Sequence, residues 1–201
     1  MNEFVVIAVS GINLFVAIVY FWMMINKRSK PALAMWLFFS LAVAMSLITY
    51  LKHGTYSFWD NVLNTADLVL TVSVTIAILV LGDKSSRFSR FDLGCLLVVC
   101  GIIVFWLITQ NHIITNLGIQ IIMVIAYCPV VKRMLASKEN TEPFVVWIAL
   151  MIVPFISLLT SKGVLASIYA FRAIACAALL LTLMLRIEWL NRQTVFVRKS
   201  E

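Results

Sequence analysis

Long, nearly uncharged apolar runs recur along this chain, and short clusters of charge separate them. A hydrocarbon core of roughly 30 Å is crossed by about 20 apolar residues in a helix. Spans of that kind are expected at 4–25, 31–51, 58–81, 93–110, 114–131, 143–161 and 164–187. The connections between them are too short to hold a second domain. Within each run the apolar residues are continuous instead of alternating, which selects helices over a barrel. Composition agrees: 63% of the 201 residues are hydrophobic and 12% charged, against roughly half and a quarter in a soluble domain. Such a chain needs lipid as part of its solvent. The start, Met1-Asn2-Glu3, enters apolar sequence without an A-x-A-like cleavage site, so the first helix is expected to be retained.

Positive charge is distributed unevenly among the connections. Lys27, Arg28 and Lys30 follow the first run, Lys84, Arg87 and Arg90 the third, and Lys132, Arg133 and Lys138 the fifth. Arg186, Arg192, Arg198 and Lys199 end the chain, whereas the opposite side carries only Lys52 and Lys162. The positive-inside rule then places the amino terminus outside and the carboxyl terminus in the cytoplasm, with the plasma (inner) membrane as the expected location. Topology thus accounts for most of the net charge of +7. Nucleic-acid binding is excluded, because the basic residues are scattered over loops with no interleaved aromatics. Trp36, Trp59, Trp147 and Trp189 fall near run ends and read as interfacial anchors. Cys95, Cys100, Cys128 and Cys176 lie within apolar runs, where a thiol packs as a small hydrophobe. Neither a disulfide framework nor a metal ligand set is visible.

Two parallel halves are legible. Gly11-Ile12-Asn13, six residues and Tyr20 recur as Gly118-Ile119-Gln120, six residues and Tyr127. Each copy continues through a basic loop to a proline (Pro31, Pro143), a tryptophan (Trp36, Trp147) and a glycine before its third helix (Gly54, Gly163). The fourth run has no counterpart and returns the chain so that the second copy starts in the first one's orientation. The expected fold is an all-α integral membrane protein of seven transmembrane helices in a 3+1+3 arrangement. Its first triple-helix unit covers 1–82, a linker with the fourth helix 83–112, the second unit 113–190, and a cytoplasmic tail 191–201. An axis along the membrane normal would relate the two units.

The stretch Tyr127-Cys128-Pro129-Val130-Val131-Lys132-Arg133, followed by Ser137-Lys138-Glu139-Asn140-Thr141-Glu142, resembles the PQ-loop motif of SWEET-type carriers. That resemblance implies the same architecture, an outward amino terminus and a substrate cavity between the two units. Val130 stands where the motif has glutamine, and Trp22 where the first copy's proline would align. The hinge role implied for a motif proline is therefore carried over to Pro129 alone.

Two charges lie deep in the runs, Asp67 in the third and Arg172 in the seventh, and a central Asp or Arg needs a partner or water. The repeat aligns them with each other, so an ion pair across a central cavity is expected. Asn64, Asp67, Thr71 and Thr75 fall on one helix face, and Tyr169 and Arg172 supply a matching stripe, while Asn13 and Gln120 project from the first helices of the units. The expected substrate-binding set is Asn13, Asn64, Asp67, Thr71, Gln120, Tyr169 and Arg172. Interhelical hydrogen bonding is the competing role for the amides, structural pairing for the charges, and back-bonding to the helix for Thr71 and Thr75. Proton coupling follows if Arg172 leaves Asp67 during a cycle, and not if the pair is permanent. His53 and His112 fall in outer connections and read as solvated loop residues.

A carrier for a small polar solute (a sugar, amino acid or nucleoside) working by alternating access is the expected function. Its partners are that solute and the lipid bilayer, and the apolar outer faces give no distinct signal for or against a homodimer. The rival is a seven-helix receptor or sensor similar in fold to the KDEL receptor, which binds a ligand without moving it. A retinal protein is disfavoured because its last helix would carry a central lysine where this chain has Arg172. No enzyme is expected, since the chain has no H-E-x-x-H, no G-x-S-x-G, no Walker loop and no second carboxylate beside Asp67. No cofactor is called for.

Overall fold

The computed structural model describes residues 3–26, 33–81, 90–136 and 143–199, and all regular structure within them is helical. In chain order these are α1 (Glu3–Ile25), α2 (Leu33–His53), a 3-10 turn (Phe58–Asn61) leading into α3 (Val62–Leu81), α4 (Arg90–Thr109), α5 (His112–Ile125), α6 (Cys128–Ala136), α7 (Phe144–Leu158) and α8 (Val164–Lys199). Five stretches are long and apolar enough to cross a membrane: Glu3–Ile25, Trp36–His53, Phe58–Leu81, Arg90–Thr109 and Val164–Asn191. Large apolar side chains such as Ile7, Val80 and Ile108 stand on their outer surfaces, the arrangement expected where lipid replaces water as the contacting phase. Six of the basic residues that set the expected orientation, Lys27, Arg28, Lys30, Lys84, Arg87 and Lys138, lie outside the described residues, as do Pro31 and the segment 137–142.

The expected fifth span is divided. A turn at Ala126 and Tyr127 separates α5 from α6, because Pro129 has no N–H to give the carbonyl of Ile125. The ladder resumes with Val131 N donating to Tyr127 O at 2.9 Å. α1, which carries Trp22 at the aligned position, runs unbroken and closes with Asn26 N donating to Trp22 O at 3.0 Å. α7 has 15 residues, about 22 Å by helical rise, and Pro154 interrupts its ladder one turn from the end. α8 continues well past the expected end at 187, since no glycine or proline occurs between Val164 and Lys199 to stop it. The α4–α5 connection is a tight turn in which Gln110 adopts a left-handed φ of 51° and Asn111 Oδ1 caps α5 by accepting from Ile114 N at 3.1 Å.

Helix packing has a definite pattern. α3 packs on both α1 and α2, and α8 packs on α5, α6 and α7. α1 lies against α7 just as α5 lies against α2, while α3 touches α8 near the centre. α4 packs against α2 and α5. The main core gathers Val5, Val9, Phe38, Val43, Leu63, Ile119, Met123 and Tyr169 from five helices.

Candidate functional site

A cavity of about 130 Å³ opens between these helices, and every helix except α4 contributes to its wall. Six of its residues are pairs matched in the repeat: Tyr20 with Tyr127, Trp36 with Trp147, and Asp67 with Arg172. Their local geometry repeats as well. Tyr20 meets Trp36 edge to face at 5.3 Å between ring centroids and 78° between planes, and Tyr127 meets Trp147 at 6.2 Å and 67°. Phe39 adds an edge contact with Tyr127 at 5.8 Å. Edge-to-face packing sets the electropositive rim of one ring against the electronegative face of the next, so the collar holds its shape through directional contacts. Trp36 and Trp147, read from sequence as interfacial anchors, are therefore buried cavity walls, each about 8% exposed. Trp59, in the 3-10 turn before α3, and Trp189, within α8, are exposed. The Trp36 Nε1 donor is buried and has no hydrogen-bond partner.

The two charges line the same cavity. The expected ion pair is mediated instead of direct, because Tyr169 stands between its members. The Tyr169 hydroxyl donates to Asp67 Oδ2 at 2.8 Å, and the Arg172 guanidinium sits over the Tyr169 ring, 4.5 Å from its centroid. Arg172 Nε donates to Gln120 Oε1 at 2.9 Å. A second space of about 60 Å³ adjoins the cavity at Asp67, Arg172, Tyr127 and Trp147 and reaches Ala173 and Ala177.

Gln120 connects Arg172 to a buried amide network centred on Ser46, a residue that the sequence reading did not single out. Ser46 Oγ receives Gln120 Nε2 at 2.9 Å and Asn116 Nδ2 at 3.4 Å. Asn116 Nδ2 also donates to Ser46 O and to Thr49 Oγ1, both at 2.9 Å. A hydroxyl has two lone pairs and one proton, so with both lone pairs taken the Ser46 proton goes to Asn64 Oδ1 at 2.9 Å. That fixes the Asn64 amide with its nitrogen donating to Val43 O at 3.1 Å. Asn64 and Gln120 therefore support the site from behind its wall. Ser46 and Asn116 occur in otherwise apolar runs, and polarity within a run was the one signal that pointed to them.

At the far end of the bundle, the end of α2 and the start of α3 are tied to the α7–α8 turn. Lys162 Nζ lies 2.7 Å from Asp60 Oδ1, and Lys162 N donates to Asp60 O at 2.9 Å. The Tyr50 hydroxyl donates to Lys162 O at 2.9 Å, and the Tyr50 ring stacks on Tyr56 at 4.7 Å. Ser57 N and Ser57 Oγ both donate to Asp60 Oδ2 at 2.8 Å, which holds the carboxylate in place. Gly163, at φ +80°, lies so close to Tyr56 that a Cβ there would come within 2.6 Å of the Tyr56 hydroxyl.

Of the expected binding residues, Asp67, Thr71, Tyr169 and Arg172 line the cavity. Thr71 Oγ1 donates to Leu68 O and Thr75 Oγ1 to Thr71 O, the back-bonding role weighed for them. Asn13 faces elsewhere: its Nδ2 donates to Val9 O at 3.2 Å, and it lines a separate groove between α1 and α3. His53 is exposed, whereas His112 Nδ1 accepts from Trp106 Nε1 at 2.8 Å. Cys95 and Cys176 are buried, Cys100 and Cys128 exposed, and all four are free thiols. No protein-family model, curated protein or solved structure matches this chain.

Proposed function

We propose that this protein is a multi-pass membrane carrier that moves a small polar solute by alternating access. It is built as two parallel triple-helix units, 1–82 and 113–190, around the linker helix α4, with the amino terminus outside. In this reading α5 with α6 and the shorter α7 complete seven crossings. One observation carries the proposal: three residue pairs matched in the repeat wall a single charged cavity, while polar contacts between the units close the opposite end of the bundle. The exchange of packing partners, α1 on α7 and α5 on α2, is what an axis between the units would produce. A site held between two such units is exposed to each side in turn when they rock, and the Asp60–Lys162 end is then the closed gate. The cavity supplies opposite charges, a tyrosine bridge and aromatic walls.

Reconstituted liposomes preloaded with candidate solutes test this. Labelled solute should exchange across the bilayer with the parent protein and fail to do so with Asp67→Asn or Arg172→Gln. A solute that binds the parent but never exchanges would make the protein a receptor and overturn the carrier reading.

A further inference from the structure

Resting on that reading, we infer that the solute is an α-amino acid bearing a single aromatic ring with a hydrogen-bond acceptor at its far end, tyrosine being the simplest example. The cavity is made of two adjoining spaces, and Asp67, Arg172, Tyr127 and Trp147 line both. The larger, about 130 Å³ and bounded by the aromatic collar, approaches the ~150 Å³ apolar cavity that takes up one benzene molecule. It therefore suits one six-membered ring. The smaller, about 60 Å³, lies at Asp67 and Arg172, where the ammonium and carboxylate of an amino acid would sit.

The charges select a zwitterion because both retain capacity. Arg172 donates through Nε to Gln120 and also bonds the Cys176 thiol, which does not exhaust a guanidinium that carries five N–H donors in a fork matched to a carboxylate. Asp67 accepts from Tyr169 through Oδ2, leaving Oδ1 for an ammonium. A ligand with one charge would leave the other group desolvated and unanswered, which is costly in a buried site. Trp36, one of the cavity's walls, keeps a buried and unpartnered Nε1 donor, which a phenolic oxygen answers and a bare phenyl ring does not.

Thermal unfolding of the full-length protein in detergent tests the assignment. The probes are tyrosine, phenylalanine, leucine, lysine, glucose, and two analogues that each lack one charge, tyramine and 4-hydroxyphenylacetate. Tyrosine at about a hundredfold excess over its Kd should raise the midpoint by several degrees through mass action, with phenylalanine weaker and both analogues without effect. Trp36→Phe should bring tyrosine down to the level of phenylalanine. Analogues as effective as tyrosine, or leucine, lysine or glucose exceeding it, would overturn the inference, and these comparisons need only the parent protein. Liposome counterflow separates the two readings. Tyrosine that stabilises but does not exchange sinks the carrier and leaves the site assignment, whereas exchange of glucose or lysine without tyrosine does the reverse. If no probe either stabilises or exchanges, both fall.

Discussion

The hydroxyl of Tyr169 donates to Asp67 at 2.8 Å while its ring faces Arg172 at 4.5 Å, so one side chain answers both charges. The arrangement keeps the acid and the base apart while compensating each of them. The hydroxyl supplies a charge-assisted hydrogen bond to the carboxylate, and the ring face attracts the guanidinium. A direct ion pair would saturate both groups and leave little for a solute.

Tyr169→Phe follows from this geometry. The ring and its contact with Arg172 remain, but Asp67 loses its donor in a buried position. A hydrogen bond to a charged group contributes about 1.5–3 kcal/mol, and stability should fall by about that much. In Asp67→Asn the carboxylate charge is already absent, so adding Tyr169→Phe should cost markedly less than it does in the parent. Thermal or denaturant unfolding of the four proteins of this double-mutant cycle measures the coupling; additive effects would show that the two groups do not interact.

Ser46→Ala should be more damaging than its size suggests. The hydroxyl is shared by Asn64, Asn116 and Gln120, and its removal leaves buried amides short of partners at about 1–3 kcal/mol for each unsatisfied group. Because Gln120 also holds Arg172, the loss should reach the cavity: solute affinity should drop together with the unfolding midpoint. Ser46→Thr keeps the hydroxyl and should recover much of the affinity. A Ser46→Ala variant with unchanged affinity would mean that the network does not position Arg172.

How much of this could be read beforehand depended on the kind of signal. Apolar run length placed the long helices because lipid imposes a length on any spanning helix. The matched tyrosine and tryptophan positions fall on the cavity wall, although Trp36 and Trp147 read as interfacial anchors: position near a run end cannot distinguish a ring turned to the interface from one turned inward. Asn13 and Gln120 occupy matched positions, yet one bonds its own helix and the other reaches Arg172. The added methylene of glutamine and the surrounding helices, α2 and α8 in the second case, decide that, and neither is encoded in spacing. Ser46 was missed because a lone serine in an apolar run usually bonds its own helix.

Gly163→Ala tests the closed end. Its left-handed φ disfavours any residue with a Cβ, by about 1–2 kcal/mol, and the added carbon would collide with the Tyr56 hydroxyl. Stability should fall by at least that amount, and the Lys162 contacts with Asp60 and Tyr50 should loosen with it. Combining it with Tyr56→Ala removes the collision but not the backbone strain, so it should recover only part of the loss. Unfolding midpoints of the single and double variants check this. Full recovery would mean that the backbone at 163 is unstrained, and none that the Tyr56 contact is immaterial.

Pro129→Ala separates a structural break from a moving one. Alanine restores an N–H opposite the Ile125 carbonyl, and an interior proline costs a helix about 3 kcal/mol. If α5 and α6 can join, the variant should be more stable than the parent, with an upper limit near that figure. A continuous helix would also remove the bend beside Tyr127 and Val130, both of which line the cavity. Under alternating access the joined helix should slow solute exchange while leaving equilibrium binding within a few fold. Exchange rate and Kd measured on the same preparation therefore discriminate: a slowed rate with retained affinity identifies the break as a hinge, whereas losing both in proportion identifies it as a fixed part of the cavity wall.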